Sequence, residues 1–437
     1  MSKTCETQID RKNKIVGIGV VSIIALLLVA VILASSILSS NGLVTKSGNL
    51  MKGYKVSQET TKLTESFKND YYKLVSKILN QQVINGTNSA ISLPDTANTL
   101  SFLAAASNGN TRNQIEYLLG GDSTKFAAAV ATINNGIKYT ENKKYGMLSS
   151  NSVWLNNSEL FGVKKSFLKT NSNHFGLNIQ RAAFSEIETS NLARETVASA
   201  TTGNSFSNVE FNDSENINIV SGASFRSVWV NKGSTNDTFE SIFIGEKCDY
   251  NCTYFRTVES RCIIGDTFYG IAKDFVDDFT FIAIAPNENG EGYFYTLKDV
   301  IKELNEKNLL KSLYNSTYKT DVAVTLPFYT NSVKNPTNIE FSKTLKELGV
   351  TSLFGNSADL SAMFEDDASV SVDNYYVSGD ISITPAGTLN VSSNNTISEK
   401  QLKECKLSLE FNRNFIYFIY DNESQLPIFL GVVNHIE

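Results

Sequence analysis

Between Ile15 and Leu38 the chain runs for 24 residues without a charged side chain, as IVGIGVVSIIALLLVAVILASSIL. At about 1.5 Å per residue, a helix of that length crosses a hydrocarbon core of roughly 30 Å, so the segment is expected to span a bilayer. A cleaved signal peptide is the rival reading, because Ala34 and Ser36 are small enough for a peptidase, although the apolar stretch of such a peptide normally runs to only about 7 to 15 residues. Arg11, Lys12 and Lys14 directly precede the segment, and basic residues collect on the cytoplasmic flank. The expected layout is a cytoplasmic tail at 1–14, a transmembrane signal-anchor at 15–38, a stalk rich in Ser, Gly, Thr and Lys at 39–60, and a domain at 61–437 facing the lumen or exterior. The result is a single-pass membrane protein, or a secreted one if the segment is cleaved.

That orientation puts Cys248, Cys252, Cys262 and Cys405 in an oxidising compartment. They are candidates for disulfides whose connectivity the sequence leaves open. Zinc held by the first three is the alternative, disfavoured because thiols outside the cell tend to oxidise. Candidate glycosylation sites of the Asn-x-Ser/Thr form are Asn85, Asn156, Asn212, Asn236, Asn251, Asn315, Asn390, Asn394 and Asn422.

Composition removes several function classes. His174 and His435 are the only histidines, and they lack the close spacing of a metal-binding helix, so no metal or other cofactor is expected. The net charge of −6 offers no positive field for nucleic acid. No phosphate-binding glycine loop, nucleophile turn or carboxylate pair at a telling spacing occurs, so an enzyme is not expected.

The periodicity beyond the stalk is mixed. Phe67, Tyr71, Leu74, Val75, Ile78 and Leu79 line one face of a helix. A second helix is expected from Leu297, with Thr296 as its N-cap and Asp299 three residues on. A third runs through Phe341, Leu345 and Leu348 and is ended by Gly349. Strands are expected at Phe279–Ala285, Val322–Leu326, Leu407–Phe411, Phe415–Tyr420 and Ile428–Val433, the last two being apolar throughout and hence buried on both faces. Helices and strands without regular βαβ alternation make this an α+β domain.

The last 120 or so residues carry an ordered series of motifs. Val324-x-Leu326-Pro327, Thr344–Phe354 (TLKELGVTSLF), Ala358-Asp359-Leu360-Ser361, Phe411-Asn412-Arg413-x-Phe415 and Pro427–Asn434 (PIFLGVVN) resemble, in order, the closing motifs of the serpin family. Weaker matches extend toward the N-terminus at Thr111-x-x-Gln114-Ile115, Ser150–Trp154 and Phe225-x-Ser227-x-Trp229. The resemblance implies a serpin-like domain of three β-sheets and eight or nine helices with an exposed reactive loop. A protease attacks that loop as substrate, and the cut loop inserts as a new strand into the largest sheet, carrying the acylated protease with it. The intact state is then a kinetic trap.

Within that resemblance the loop hinge falls on Gly387, Thr388, Leu389, Asn390, Val391, Ser392 and Ser393, and the scissile region on Lys400, Gln401, Leu402 and Lys403. Lysines there suit a protease whose specificity pocket carries a carboxylate, so the expected partner is an extracellular or luminal trypsin-like serine protease, with a cysteine protease as the alternative target. Three departures bear on this expectation. Pro385 precedes the hinge, where its ring fixes φ. Asn390, Ser392 and Asn394 share a face with Thr388 in an inserted strand. The family's central serine, asparagine and histidine fall on Asp95, Ser221 and Val377. The competing expectation is accordingly a non-inhibitory member acting as a tethered binding, chaperone or surface-interaction module.

Overall fold

The structure is a computed structural model that describes residues 48–140, 144–157, 162–201, 209–330, 338–364, 370–389 and 391–436. The expected tail and signal-anchor, the first part of the stalk, and Asn390 lie outside these residues. Among the described residues no helix is long and apolar enough to cross a membrane.

The expected helices form where their caps and stripes place them. Thr64 caps Glu65–Asn85 by accepting from the Phe67 amide at 3.2 Å, and Gly86 ends it with φ 66°. Thr296 and Asp299 close a reciprocal capping box at the start of Leu297–Glu306, satisfying two amides that a helix start leaves orphaned. Phe341–Glu347 is followed by Gly349 at φ 90°, a left-handed conformation that glycine adopts without strain. Ten α-helices occur among the described residues, more than the eight or nine expected. Glu399–Glu404, which carries the expected scissile region, and Leu309–Ser312 each form a short helix that apolar periodicity does not reveal.

One six-stranded sheet runs in the order β1 (Gly48–Asn49), β4 (Asn178–Ala182), β3 (Gly146–Asn156), β5 (Ile217–Arg226), β13 (Val372–Asp380) and β12 (Ile339–Glu340). A second is ordered β15 (Leu407–Glu410), β10 (Tyr318–Pro327), β7 (Asp249–Ile264), β8 (Phe268–Phe275), β9 (Phe279–Pro286), β16 (Phe415–Asp421), β17 (Leu426–Val433) and β2 (Ser89–Ser92), with β6 (Thr238–Ile244) also paired to β7. The third joins β11 (Tyr329–Thr330) to β14 (Ser382–Ile383). β9, β16 and β17 are buried at every position, in keeping with their almost wholly apolar sequences. The helix Leu93–Ala106 is buried along nearly its whole length and packs against β17 and β3.

Two expectations are corrected here. Residues 48–60 do not stand off as a stalk: Gly48 and Asn49 pair with Arg181 and Gln180 as an extra edge strand, Met51 is buried, and the Ser57 and Glu59 amides donate to the Ser172 and Asn173 carbonyls. Polar composition concealed this because the attachment is made mainly by backbone groups. All four described cysteines are free thiols. Cys252 and Cys262 lie on the same strand, β7, which spaces them by ~33 Å, far beyond the roughly 7 Å between Cα atoms that a disulfide tolerates.

Among the sequons, Asn85, Asn212, Asn236, Asn251, Asn315 and Asn394 are exposed and Asn422 is half-buried. Asn156 is corrected as a glycan site, since its 2%-exposed side chain donates to the Asp213 and Glu215 carbonyls at 2.9 and 2.8 Å.

Candidate functional site

The site is built where the chain leaves the six-stranded sheet. β5 and β13 are direct neighbours, parallel, and paired from Val372↔Ile217 to Asp380↔Ser224. A segment following β13 that folds back beside it would run antiparallel to both strands. Were the two strands to part, an antiparallel segment between them would be hydrogen-bonded on each edge. Near it lies Asp95, 5% exposed, which accepts from the Ser92 hydroxyl and from Asn151 Nδ2 of β3. Burial raises the Asp95 carboxyl above its usual range, against the lowering effect of hydrogen bonds from Ser92, Asn151 and Ser149. Ser221 stands directly opposite Val377 in the seam.

Beyond β14 the chain turns sharply. Thr384, Pro385, Ala386 and Gly387 form a turn in which the Gly387 amide donates to the Thr384 carbonyl at 3.2 Å and the Thr384 amide to the Gly387 carbonyl at 2.9 Å. Proline suits the second position of such a turn, and the Thr384 hydroxyl adds a bond to the Gly387 carbonyl at 2.9 Å. This turn is clasped from outside the sheet by residues 227–235. Trp229 Nε1 donates to the Thr384 carbonyl at 2.8 Å, the Trp229 amide to Ala386 at 2.9 Å and the Gly233 amide to Pro385 at 2.7 Å. Thr388 exchanges bonds with Ser227 at 3.0 and 2.8 Å. Gly387 approaches so closely that a Cβ there would lie 2.5 Å from both the Ser227 carbonyl oxygen and Val228 Cα.

The clasp continues along the expected hinge. Leu389 is half-buried, Val391 and Ser392 are exposed, and Ser393 is buried with its carbonyl accepting from the Thr235 amide at 2.8 Å. Asn395 Nδ2 reaches the Lys232 carbonyl at 2.8 Å. The hinge is thus held, rather than free.

The expected scissile residues are not extended. Lys400, Gln401, Leu402 and Lys403 belong to the helix Glu399–Glu404, none of whose residues is buried. Ser398 and Gln401 close its capping box, with the Ser398 amide donating to Gln401 Oε1 at 2.9 Å. Glu399 pairs with Arg256 at 3.6 Å, while the Arg256 guanidinium lies 4.5 Å from the centre of the Phe239 ring. Cys405 ends the helix, and β15 then pairs in parallel with β10.

A family model described as Serpin (serine protease inhibitor) matches residues 65–436. The chain belongs to the serpin family. Alpha-1-antitrypsin 1-5 of Mus musculus is 22% identical over 361 residues, spanning 80% of this chain and 83% of that one. Iripin-5 of Ixodes ricinus is 31% identical over 117 residues, 26% of this chain and 28% of its own. The crystal structure of the thermophilic serpin tengpin in the native state superimposes with a TM-score of 0.79 at 21% identity, covering 90% of this chain and all (100%) of that one. Human thyroxine-binding globulin superimposes with a TM-score of 0.72 at 15% identity, covering 85% of this chain and 98% of its own. At such identities the structural likenesses speak for the fold alone.

In this serpin the expected hinge residues dock beside the end of the β5–β13 seam of the six-stranded sheet, and the expected scissile lysines lie on a separate exposed helix. The clasping residues Gly233 and Thr235, together with Arg256, had no part in the sequence expectation, and Ser227 entered it only as part of the Phe225-x-Ser227-x-Trp229 motif. Two local signals were legible nonetheless: Thr-Pro-x-Gly as a turn and Ser-x-x-Gln as a capping box.

Proposed function

We propose that this serpin is a serine-type endopeptidase inhibitor that acts by cleavage and insertion of its reactive loop, against a trypsin-like protease cutting near Lys400–Lys403. The observation that carries the reading is the uninserted seam: β5 and β13 pair with each other in parallel along their length, with the loop outside. Inserting an antiparallel strand replaces one parallel pairing, the weaker kind per residue, with two antiparallel ones. Residues 388–403 reach about 50 Å when extended, more than the ~33 Å of a ten-residue strand such as β5. The charged, exposed ends of Lys400 and Lys403 suit a carboxylate-bearing specificity pocket. The segment Ile15–Leu38 assigns the domain to the far side of a membrane, tethered or released by signal cleavage.

Incubation with trypsin and related proteases tests the reading. An SDS-stable covalent complex, with the cut mapped within 400–403 by mass spectrometry, is expected; clean cleavage by every such protease with no complex would overturn it. That second outcome belongs to the rival reading, a non-inhibitory interaction module. What favours the rival is the clasped hinge, whose release opposes insertion, and the exposed sequon Asn394, whose glycan could not enter a sheet.

A further inference from the structure

Beneath the clasp lies a buried ion pair that loop insertion does not itself require. The side chains of Lys273 on β8 and Glu259 on β7 are 0% and 4% exposed. The ammonium has three hydrogens, and they meet the Glu259 carboxylate, Thr257 Oγ1 at 3.0 Å and the Asn231 backbone carbonyl at 2.7 Å. Thr257 donates in turn to Glu259 Oε1 at 2.6 Å. The ammonium also sits 5.2 Å from the centre of the Trp229 ring, which stacks on Phe275 at 3.9 Å. Burying a charge is costly, and an apolar pair of the same volume is often as stable; what this pair adds is a fixed point for one backbone carbonyl.

That carbonyl lies in the middle of the grip. Trp229 and Gly233, two residues to either side of Asn231, supply three of the hydrogen bonds that hold Thr384, Pro385 and Ala386. The Val230 amide is tied to the Asp274 carbonyl at 2.9 Å, so residues 229–233 are anchored to β8 at adjacent points. Of these two hydrogen bonds, the Lys273 contact is the one made by a side chain, and the Trp229 ring adds its stacking on Phe275.

We propose that Lys273 is a positioning residue for the reactive loop: by fixing the Asn231 carbonyl it keeps residues 229–233 in the shape that grips the Thr384–Gly387 turn, and so sets how readily the hinge lets go. The grip follows from the geometry alone; its effect on inhibition rests on the reading above. Lys273→Met by itself strands the Glu259 charge and can unfold the protein. The tests are therefore Lys273→Met combined with Glu259→Leu, and separately Glu259→Gln, each in the full chain and read by residue-resolved hydrogen exchange.

In the double variant the amides of Trp229, Gly233 and Thr388 are expected to exchange about tenfold faster, while those of Phe415–Asp421 keep their protection; Glu259→Gln, which keeps the Lys273–Asn231 hydrogen bond, is expected to leave all of them as in the parent. Unchanged exchange at the three loop-side amides of the double variant would overturn the proposal. So would a loss of protection throughout, β16 included, because the pair would then support the core rather than the grip. Faster exchange at the clasp, together with failure of the parent protein to form a covalent complex with any trypsin-like protease, would leave the positioning role standing and remove the inhibitory reading.

Discussion

At the scale of single residues, the hinge glycine has a role here that belongs to the docked loop. Gly387 has φ 142°, and a Cβ would collide with Ser227 and Val228. Gly387→Ala is expected to loosen the clasp by about 1–3 kcal/mol, the usual cost of a strained backbone position. The change should appear as a lower urea midpoint and faster cutting of the loop by a protease present in trace. An unaltered midpoint and cutting rate would show that the loop does not rest on residues 227–228 in solution.

Asp95 gives a pH-dependent prediction whose sign is fixed by burial. Its folded carboxyl lies above the ordinary value of 3.8, so the fold prefers the protonated form. The charged form weakens the native state at neutral pH, and that deficit is relieved as pH falls through the raised value toward 3.8. Tyr71 and Tyr375 are the titratable neighbours in the core around it, and both stay neutral across this range. Asp95→Asn keeps an acceptor for Asn151 and a partner for Ser92. It should therefore raise the melting temperature at pH 7, with the difference from the parent shrinking as the pH approaches 4. A lower melting temperature at pH 7 would mean that the carboxylate is held by interactions stronger than its desolvation.

At the scale of elements, the bait-bearing helix Glu399–Glu404 has six residues, too few to persist without its cap and the Arg256 contact. A protease must have its substrate extended, so if the proposed cut falls within Lys400–Lys403 the helix has to unwind first. Ser398→Ala removes the hydroxyl to which the Gln401 amide donates at 3.3 Å. At about 1 kcal/mol for a lost cap, first-order cleavage by trypsin should rise roughly fivefold at unchanged global stability. No change in rate would indicate that this segment is already extended when the protease meets it.

How much of this was legible in the chain depended on where each signal resided. Phe67–Leu79, Thr296–Asp299 and Gly349 announced their helices because a helix stripe, a cap and a left-handed end are local. β16 and β17 were legible because a strand buried on both faces is mostly apolar. Residues 48–60 were misread because the backbone bonds to Ile179, Ser172 and Asn173 leave no trace in side-chain composition. The hinge positions were assigned from the family motif alone, and the docking of residues 384–388 was not legible, since it depends on Trp229 and Gly233, more than 150 residues away in the chain. Lys273 did leave a local clue, a lysine two residues from Ile271 and Phe275 on the inward face of a strand.

At the scale of the whole molecule, one fold holds two opposed tendencies. On the proposed mechanism, the closed seam between β5 and β13 opens to accept a further strand. The clasp of residues 227–235, the Thr384–Gly387 turn and the bait helix together keep that strand outside. If that strand enters once the loop is cut, the intact state is maintained by a barrier rather than by being the most stable arrangement. Free thiols at Cys248, Cys252, Cys262 and Cys405 mean that no covalent bridge among the described residues contributes to that barrier, which must come from packing and hydrogen bonds.

The thermal unfolding of the intact protein, compared with the same protein cut once within residues 400–403, tests insertion most directly. Insertion predicts that the cut protein melts at a clearly higher temperature in a single transition, with the amides of β5 and β13 better protected than before. Equal or lower melting of the cut protein, with the seam amides unchanged, would contradict it and leave the loop as a surface segment on a serpin that does not inhibit.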